Sequence, residues 1–190
     1  MKTAILTRMG FTEDRSKRTG QEILWAEELR AFSCSEVSVA WPSEWNADPE
    51  DEVYFLKRNG IQRIVLIGYS YGGGYGVQKL ADLAIKEGLE VPLMLLCDPV
   101  YRPKWLPGWK WLHSPRSLFP DGAEIKVNPK VGRVSYVRQE ISLPRAHKVS
   151  LSPGTVLGRA LTLEALHTEI DEAPEWRYMV REELEKLLKS

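Results

Sequence analysis

The chain has 190 residues, 43% of them apolar and 27% charged, which is typical of one folded domain and excludes a disordered protein. Its 26 basic residues balance its 26 acidic ones, so it lacks the basic excess with which most nucleic-acid-binding proteins neutralise phosphates. With two cysteines, no apolar run near the roughly 18 residues that span a bilayer, and no signal-peptide pattern, we expect a cytoplasmic protein without a disulfide framework or transmembrane segment.

The first hundred residues alternate between strand patterns and helix patterns. Strands are predicted at 3–7, 36–41, 63–67 and 91–97, and helices at 21–32, at 48–59 and from the glycine-rich turn 68–74 to about residue 86. The strands at 63–67 and 91–97 are almost continuously apolar and lack a clean alternation with polar residues, as in a parallel sheet covered by helices on both faces. Because connections between parallel strands are right-handed, this order predicts a doubly wound α/β fold.

The second half of the chain has a different composition. Residues 99–130 contain six of the twelve prolines and three of the seven tryptophans, too many prolines for regular elements and too many aromatic rings for a flexible linker. We interpret this segment as an ordered excursion over the carboxyl edge of the sheet. A fifth strand is predicted at 132–139 and a closing helix at 174–188. The whole of 1–190 is therefore expected to form one domain around a mostly parallel sheet of about five strands.

One segment indicates chemistry. Gly68-Tyr69-Ser70-Tyr71-Gly72 has the Gly-x-Ser-x-Gly pattern directly between a predicted strand and a predicted helix, which is the context of a nucleophile elbow. In that turn the serine hydroxyl stands above the sheet edge, and the residues two before and two after it must be small so that strand and helix can approach. The backbone N–H of Tyr71 would then point at an oxyanion that forms on the substrate.

The glycine-rich turn 68–74 has two other interpretations. Such turns hold phosphates in nucleotide-binding sheets, but the Gly-Lys-Ser/Thr ending of a Walker loop is missing. A dinucleotide-binding turn that starts at Gly72 would need a glycine where Val77 stands, although a looser spacing, with Asp98 ending the next strand, imitates a short-chain dehydrogenase. We favour the nucleophile elbow, and dinucleotide binding and a purely structural turn remain the alternatives.

A serine hydroxyl needs a base, and the chain has three histidines. Doubly wound hydrolases place nucleophile, acid and histidine in that order along the chain, which favours His167, just before the last helix. His147 is the second candidate and His113 the third. For each of them the alternative is an isolated histidine without a chemical role.

The acid that orients the base should end a strand beside the strand of the nucleophile. Asp98 does so after the strand at 91–97, where it would fix the histidine tautomer and stabilise the imidazolium. The alternative is that Asp98 only caps the following turn. Asp121 and Asp171 are the fallback candidates.

Three segments together resemble an α/β-hydrolase: the elbow around Ser70, the run Leu96-Cys97-Asp98-Pro99, and His167-x-x-Ile170-Asp171 before a final helix. The resemblance covers about residues 3–188. It is to small lidless types, namely bacterial and phage lipase-like, cutinase-like or thioesterase-like proteins.

This resemblance implies a serine-based acyl transfer with no cofactor and no metal, on a small-molecule acyl ester. It also implies a second oxyanion donor after the first strand, at Met9, Gly10 or Phe11. Two features depart from the family. The acid often follows the second strand after the nucleophile, whereas Asp98 follows the first, and the extra leading strands of larger members are missing.

Aromatic residues near the predicted acid and base are candidates for substrate recognition. Tyr101, Trp105 and Trp109 lie in the excursion and Tyr69 lies beside the serine, and these four are the predicted substrate-binding residues. The excursion has several interpretations: a lid, a pocket wall, a satellite core or a surface for a partner protein.

The sequence therefore predicts a serine hydrolase of the esterase, lipase or thioesterase kind. The alternatives are a non-catalytic interaction protein on a hydrolase scaffold and, less favoured, a nucleotide-binding protein that uses the turn 68–74.

Overall fold

The computed structural model describes residues 1–10, 19–100, 124–142 and 144–189. Six strands form its main sheet: β1 (Thr3–Arg8), β2 (Val37–Val39), β3 (Arg63–Tyr69), β4 (Glu90–Cys97), β6 (Val131–Arg138) and β8 (Val156–Thr162). Their order is β2-β1-β3-β4-β6-β8, and every neighbouring pair is parallel. Two short strands, β5 (Ile125–Lys126) and β7 (Val149–Ser150), pair in parallel as a separate sheet.

Helical segments connect the strands. The α-helices in the described ranges are α1 (Gly20–Glu27), α2 (Pro49–Arg58), α3 (Val77–Lys86) and α4 (Pro174–Leu188). A π-helical turn, Gly72–Gly76, leads into α3, and short 3-10 helices occupy Leu29–Phe32 and Ile170–Glu172. Within these ranges, no helix combines the length and the apolar character that a bilayer-crossing helix needs.

The ends of the helices follow local sequence signals. Thr19 begins α1 with a capping box, in which its hydroxyl accepts the N–H of Glu22 while the Glu22 carboxylate accepts the N–H of Thr19. Asp48 caps α2, and Pro49 takes the first helical position, where its missing N–H costs nothing. Gly60 follows α2 with a φ of 70°, the left-handed conformation that glycine adopts without strain.

Both faces of the main sheet are buried, because successive side chains of each strand point to opposite faces. In β3, Ile64 and Leu66 belong to a core with α2 and α3, whereas Val65 and Ile67 belong to a core with α1 and α4. The buried helical residues that complete the two cores include Val53, Leu56, Val77, Leu80, Ala81 and Ala84 on one face and Leu24, Trp176, Met179, Val180 and Leu184 on the other. The doubly wound α/β class is therefore confirmed.

The sheet has six strands where the sequence predicted about five. The strand that was not predicted, β8, lies at the edge of the sheet, and Val156 and Leu157 at its start are 52% and 50% exposed. Gly158 and Arg159 interrupt its apolar pattern, so it lacks the continuous apolar run of an interior parallel strand. The predicted helix 21–32 is also wrong in its second half, because α1 ends at Glu27 and a 3-10 helix follows.

Most of the predicted excursion 99–130, namely 101–123, lies outside the described residues. Its two described ends are tied to the rest of the molecule. The N–H of Val100 donates to the carbonyl of Ser70 at 2.8 Å, and β5 pairs with β7. Val100 is thus held beside Ser70, at the carboxyl ends of the strands of the main sheet.

Candidate active site

The carboxyl ends of β3 and β4 bring two predicted site residues together. Ser70 follows β3 and Asp98 follows β4, and these strands pair in parallel with Tyr69 opposite Cys97. Ser70 and Asp98 are therefore neighbours at the carboxyl ends of the strands, which is where binding sites and active sites of α/β folds lie. His167 reaches the same edge from the segment between β8 and the 3-10 helix Ile170–Glu172.

The three predicted side chains form one hydrogen-bonded series. Ser70 Oγ lies 2.9 Å from His167 Nε2, and His167 Nδ1 lies 2.5 Å from Asp98 Oδ2. Asp98 is fully buried, and Ser70 and His167 keep only 8% and 5% of their surfaces exposed. Shielded from bulk water, these hydrogen bonds are stronger than they would be at the surface. This arrangement can pass a proton from a hydroxyl to an imidazole whose other nitrogen is held by a carboxylate.

The turn after β3 has the dense packing that an elbow requires. A Cβ on Gly68 would lie 2.7 Å from Gly73 Cα, and a Cβ on Gly72 would collide with the carbonyl oxygens of Met9 and Arg8. Only glycine lets β3, the π-helical turn and the end of β1 approach this closely. These glycines are occupied in backbone packing, and the carbonyl oxygens that face Gly72 would repel a phosphate, which argues against the nucleotide-binding interpretation.

Ser70 and Asp98 both adopt a backbone conformation that is rare for residues other than glycine, with φ angles of 51° and 40°. Backbone hydrogen bonds hold both residues. The Ser70 carbonyl accepts the N–H of Val100, and the Asp98 N–H donates to the carbonyl of Val137, each at 2.8 Å. The left-handed conformation at Ser70 is the sharp strand-to-helix turn that the elbow pattern predicts.

His167 is held at its backbone as well as at its ring. The hydroxyl of Tyr69 donates to the His167 carbonyl at 2.5 Å, and the His167 N–H donates to Ser142 Oγ at 2.7 Å. The rings of Tyr69 and His167 lie 5.3 Å apart between centroids. Tyr69 is buried, and its hydroxyl supports the backbone of His167. Its role in substrate binding stays a prediction.

Gln139 is a further residue of this site that the sequence patterns did not single out. It directly follows β6 and is buried, and its backbone N–H donates to Asp98 Oδ1 while its side-chain Nε2 donates to Asp98 Oδ2, both at 3.0 Å. A signal for it was present in the sequence. The predicted strand 132–139 ends at Gln139, which places a polar side chain at the same sheet edge as Asp98.

The backbone that follows β1 runs beside the serine. A Cβ on Gly10 would lie 3.3 Å from Ser70 Cβ and 3.0 Å from the ring of Tyr69. This is the region where the predicted second oxyanion donor has to lie. Tyr71, the other predicted donor, follows Ser70 at the start of the helical segment with φ −67° and ψ −30°. Phe11, the alternative donor, lies outside the described residues.

The other candidates for base and acid have other surroundings. His147 is buried, and its N–H donates to the Pro99 carbonyl at 2.8 Å, while the imidazole hydrogen-bonded to the Ser70 hydroxyl is that of His167. Asp171 is buried against the first turn of α1, where burial raises the pKa of its carboxyl to about 7. Besides Phe11, five further predicted residues lie outside the described ranges: Tyr101, Trp105, Trp109, His113 and Asp121.

Next to the site, β1 ends in a buried ion pair. The Arg8 guanidinium donates to both carboxylate oxygens of Glu52 in α2, at 2.9 and 2.7 Å, and to Ser43 Oγ at 2.6 Å. Longer hydrogen bonds reach the carbonyls of Glu44 and Ala47. Burial lowers the pKa of Arg8 and raises that of Glu52, and their mutual attraction opposes both shifts. Arg8 therefore fastens the loop 43–47 and α2 to the strand that leads into the predicted oxyanion backbone.

An aromatic cluster forms around Tyr71, the residue that follows Ser70. The rings of Tyr71 and Tyr75 are stacked with centroids 5.2 Å apart, and the ring of Trp45 packs edge-on against Tyr71 at 4.8 Å. Trp45 comes from the loop between β2 and α2, far from the serine in sequence, so the motif alone gave no signal for it.

No protein-family model matches the chain, and no curated protein matches its sequence significantly. Its structure is similar to the RedJ thioesterase from the prodiginine biosynthetic pathway in Streptomyces coelicolor, with a TM-score of 0.55, 11% identity, and 95% of this chain and 84% of that chain covered. A second structure, RedJ with a PEG molecule bound in the active site, gives a TM-score of 0.51 at 10% identity, over 96% and 92% of the two chains.

ClbQ from the colibactin NRPS/PKS pathway also gives a TM-score of 0.51 at 10% identity, and 98% of both chains is covered. Likeness at this level of identity concerns the fold. The chain has an α/β-hydrolase fold around a six-stranded parallel sheet.

Proposed function

We propose that the chain is a serine hydrolase that cleaves the ester or thioester bond of a small acyl substrate. The observation that carries this proposal is the hydrogen-bonded series at the sheet edge, 2.9 Å from Ser70 Oγ to His167 Nε2 and 2.5 Å from His167 Nδ1 to Asp98 Oδ2. The likeness in fold to a solved thioesterase supports the same proposal.

In the proposed mechanism, His167 acts first as a general base. Its Nε2 accepts the proton of Ser70 Oγ while that oxygen attacks the acyl carbonyl carbon. Asp98 accepts the hydrogen on His167 Nδ1, which keeps the ring in the tautomer with an unprotonated Nε2 and stabilises the imidazolium that forms. His167 then returns the proton to the leaving oxygen or sulfur, and the acyl group stays on Ser70.

The second half of the cycle repeats the same chemistry with water. A water molecule gives its proton to His167 Nε2 and attacks the acyl–Ser70 ester, and the carboxylic acid leaves as Ser70 regains its proton. In both halves the N–H groups of Tyr71 and Gly10 are the proposed donors to the oxyanion. The positive end of the helical segment that starts after Ser70 favours the same negative charge.

The ester and the thioester bond are tested with separate substrates. The sequence resembles lipase-like, cutinase-like and thioesterase-like proteins, whereas RedJ is named a thioesterase. An oxygen ester, p-nitrophenyl acetate, and a thioester, acetylthiocholine, therefore distinguish the two subtypes by their relative kcat/KM.

The test is covalent labelling with a fluorophosphonate, together with turnover of these two substrates. The expected result is a label on Ser70 and hydrolysis of at least one substrate, both lost in Ser70→Ala by roughly 1,000-fold or more. Ser38→Ala, at an exposed serine of β2, is the matched control and should change neither readout. Turnover retained in Ser70→Ala would overturn the proposal, because another group would then carry the chemistry. A wild-type protein that neither labels nor hydrolyses would also overturn it and would favour the non-catalytic interaction protein.

A further inference from the structure

Gln139 contacts two of the residues that hold His167 in place, Asp98 and Ser142. We propose that Gln139 is a positioning residue, which fixes the carboxylate of Asp98 and, through Ser142, the backbone of His167. The inference rests on the proposed function, because it adds a residue to that mechanism, and it is argued from the hydrogen bonds of Gln139, Asp98 and His167.

The orientation of the Gln139 amide follows from its surroundings. Its Nε2 faces three acceptors, Asp98 Oδ2 at 3.0 Å and the carbonyls of Ser142 and Pro144 at 3.1 and 3.0 Å. Its Oε1 faces a donor, the N–H of Ser142, at 2.8 Å. With the amide reversed, an oxygen would face three oxygens and a nitrogen would face an N–H, so only one orientation satisfies these groups.

The contacts close a ring of four residues. Gln139 binds Asp98, Asp98 binds the His167 imidazole, the His167 N–H binds Ser142 Oγ, and the Ser142 N–H returns to Gln139. The Gln139 amide thus fixes the imidazole of His167 through Asp98 and the backbone of His167 through Ser142. A shift of this amide would displace the imidazole relative to the main chain of His167, and therefore Nε2 relative to Ser70 Oγ.

The Asp98 carboxylate depends on this amide. It is fully buried, and an ionised group without water needs hydrogen-bond donors. Gln139 supplies one donor to each oxygen, and Oδ2 is shared between Gln139 Nε2 and His167 Nδ1. The side-chain amide therefore sets where the oxygen that orients the imidazole lies.

The first test is Gln139→Ala, which removes the side-chain bonds and keeps the backbone N–H. We expect kcat for p-nitrophenyl acetate and the fluorophosphonate labelling rate to fall about 10- to 100-fold, with KM within about twofold, because a small misplacement of the base slows chemistry and not binding. Asn128→Ala is the matched control. Asn128 lies just before the amino-terminal end of β6, and the substitution removes a side-chain amide that donates to the carboxylate of Asp82. A loss of the same size in both variants would overturn the proposal.

Gln139→Glu gives a readout that a purely structural role would not move. This near-isosteric side chain can donate to Asp98 Oδ2 only while it is protonated, and once ionised it faces three oxygens. The deficit in kcat relative to wild type should therefore grow as the pH rises from 6 to 9, whereas the deficit of Gln139→Ala should stay constant. Parallel pH profiles for the two variants would contradict the assignment.

Variants of Ser142 test the same positioning role if the Gln139 variants fold poorly. Ser142→Ala removes the acceptor of the His167 N–H and should lower kcat, and Ser142→Thr, which keeps a hydroxyl, should restore most of it. Equal activity in all three forms would show that the ring does not position His167.

A readout without substrate separates this inference from the proposed function. His167 Nδ1 lies 2.5 Å from Asp98 Oδ2, and the hydrogen between these two atoms should give a low-field proton NMR signal. That signal should shift or disappear in Gln139→Ala even if the wild-type protein neither labels nor hydrolyses, in which case only the proposed function fails. If Gln139→Ala leaves the signal unchanged, the role of Gln139 alone is refuted. The same holds if the wild-type protein labels and Gln139→Ala labels at the same rate.

Discussion

Ser70 and Asp98 are held in left-handed backbone conformations, although neither is a glycine. For an L-residue this conformation costs about 1–2 kcal/mol, and such strain persists only where the surroundings fix it. Here the surroundings are hydrogen bonds at the ends of β3 and β4, to Val100 and Val137. The strain therefore falls on the two positions where a strand end becomes part of the proposed chemistry.

Asp171 carries a carboxyl group whose burial disfavours the ionised form. It is buried against α1, where burial, and to a smaller degree the charge of Glu172, raises the pKa of its carboxyl to about 7, while Gln21 acts in the opposite direction. An unfolded aspartate titrates near pH 3.9, so between pH 4 and 7 the folded protein holds a proton that the unfolded chain lacks. The contribution of Asp171 to stability therefore falls as the pH rises through this range and is constant above it.

We expect Asp171→Asn to remove this loss. Relative to wild type, the variant should gain roughly 4 kcal/mol of unfolding free energy between pH 4 and pH 8, which follows from a pKa difference of about three units. Urea unfolding at both pH values measures it, with Asp51→Asn at an exposed position of α2 as the control. A difference between variant and wild type that is the same at both pH values would contradict the prediction.

At the scale of single residues, the sequence predicted the three residues of the hydrogen-bonded series and left out the residues that contact them. Ser70 was recognisable from the Gly-x-Ser-x-Gly pattern after a predicted strand and Asp98 from its place at the end of the next one, and the structure brings both to His167. Gln139 could be recognised only as a polar residue at the end of a predicted strand, and Ser142 not at all, because their contacts depend on how the segment after β6 turns back. Sequence spacing carries no information about such a turn.

At the scale of elements, the Arg8–Glu52 pair joins three of them. Arg8 ends β1, Glu52 belongs to α2, and Ser43 lies in the loop that follows β2. Arg8 is almost completely buried, whereas a quarter of the Glu52 side chain is exposed. Removal of one partner would leave the other charge in a poorly solvated position, which costs much more than the intact pair contributes.

Arg8→Met should therefore destabilise the protein by about 3 kcal/mol, at the lower end of the range for broken buried pairs because Glu52 keeps some solvent. The double variant Arg8→Met/Glu52→Leu should recover part of this loss. Lys57→Met, at an exposed pair with Glu87, is the control and should cost less than about 1 kcal/mol. Urea unfolding measures all three, and equal losses for Arg8→Met and Lys57→Met would refute the prediction.

The interior elements were predictable, and so was the edge strand β2, whereas the edge strand β8 was not. β3, β4 and α4 lie within a few residues of their predicted bounds, because their side chains face a core and their apolar patterns reflect it. β8 has one solvated side and carries Gly158 and Arg159, so its pattern matches neither an interior strand nor a helix. Gly158 is explained only by the structure, since a Cβ there would collide with the hydroxyl of Ser135 in β6.

At the scale of the whole molecule, the two edges of the main sheet differ. β2 has three residues, whereas β8 has seven and exposes about half of Val156 and Leu157. A long edge strand with exposed apolar side chains is a template for pairing with another chain. We therefore expect the protein to associate through β8 at high concentration.

Leu157→Lys should reduce this association, since a lysine on an edge strand disfavours pairing between chains. Static light scattering over a range of protein concentrations measures it. Phe55→Lys, at an exposed phenylalanine of α2, is the matched control, because it removes apolar surface away from the sheet edge. An equal effect of both substitutions would mean that general surface hydrophobicity, and not β8, drives association.

Every strand of the main sheet is parallel to its neighbours, so no pair can form as a local hairpin and each pairing waits for a crossover. The hydrogen bond from Ser70 to His167 spans 97 positions of the chain, and the one from His167 to Asp98 spans 69. The contact between Ser70 and His167 is thus among the last to form during folding. A covalent probe directed at the proposed nucleophile Ser70 would accordingly count only fully assembled molecules, because a nascent or half-folded polypeptide lacks the imidazole beside this hydroxyl.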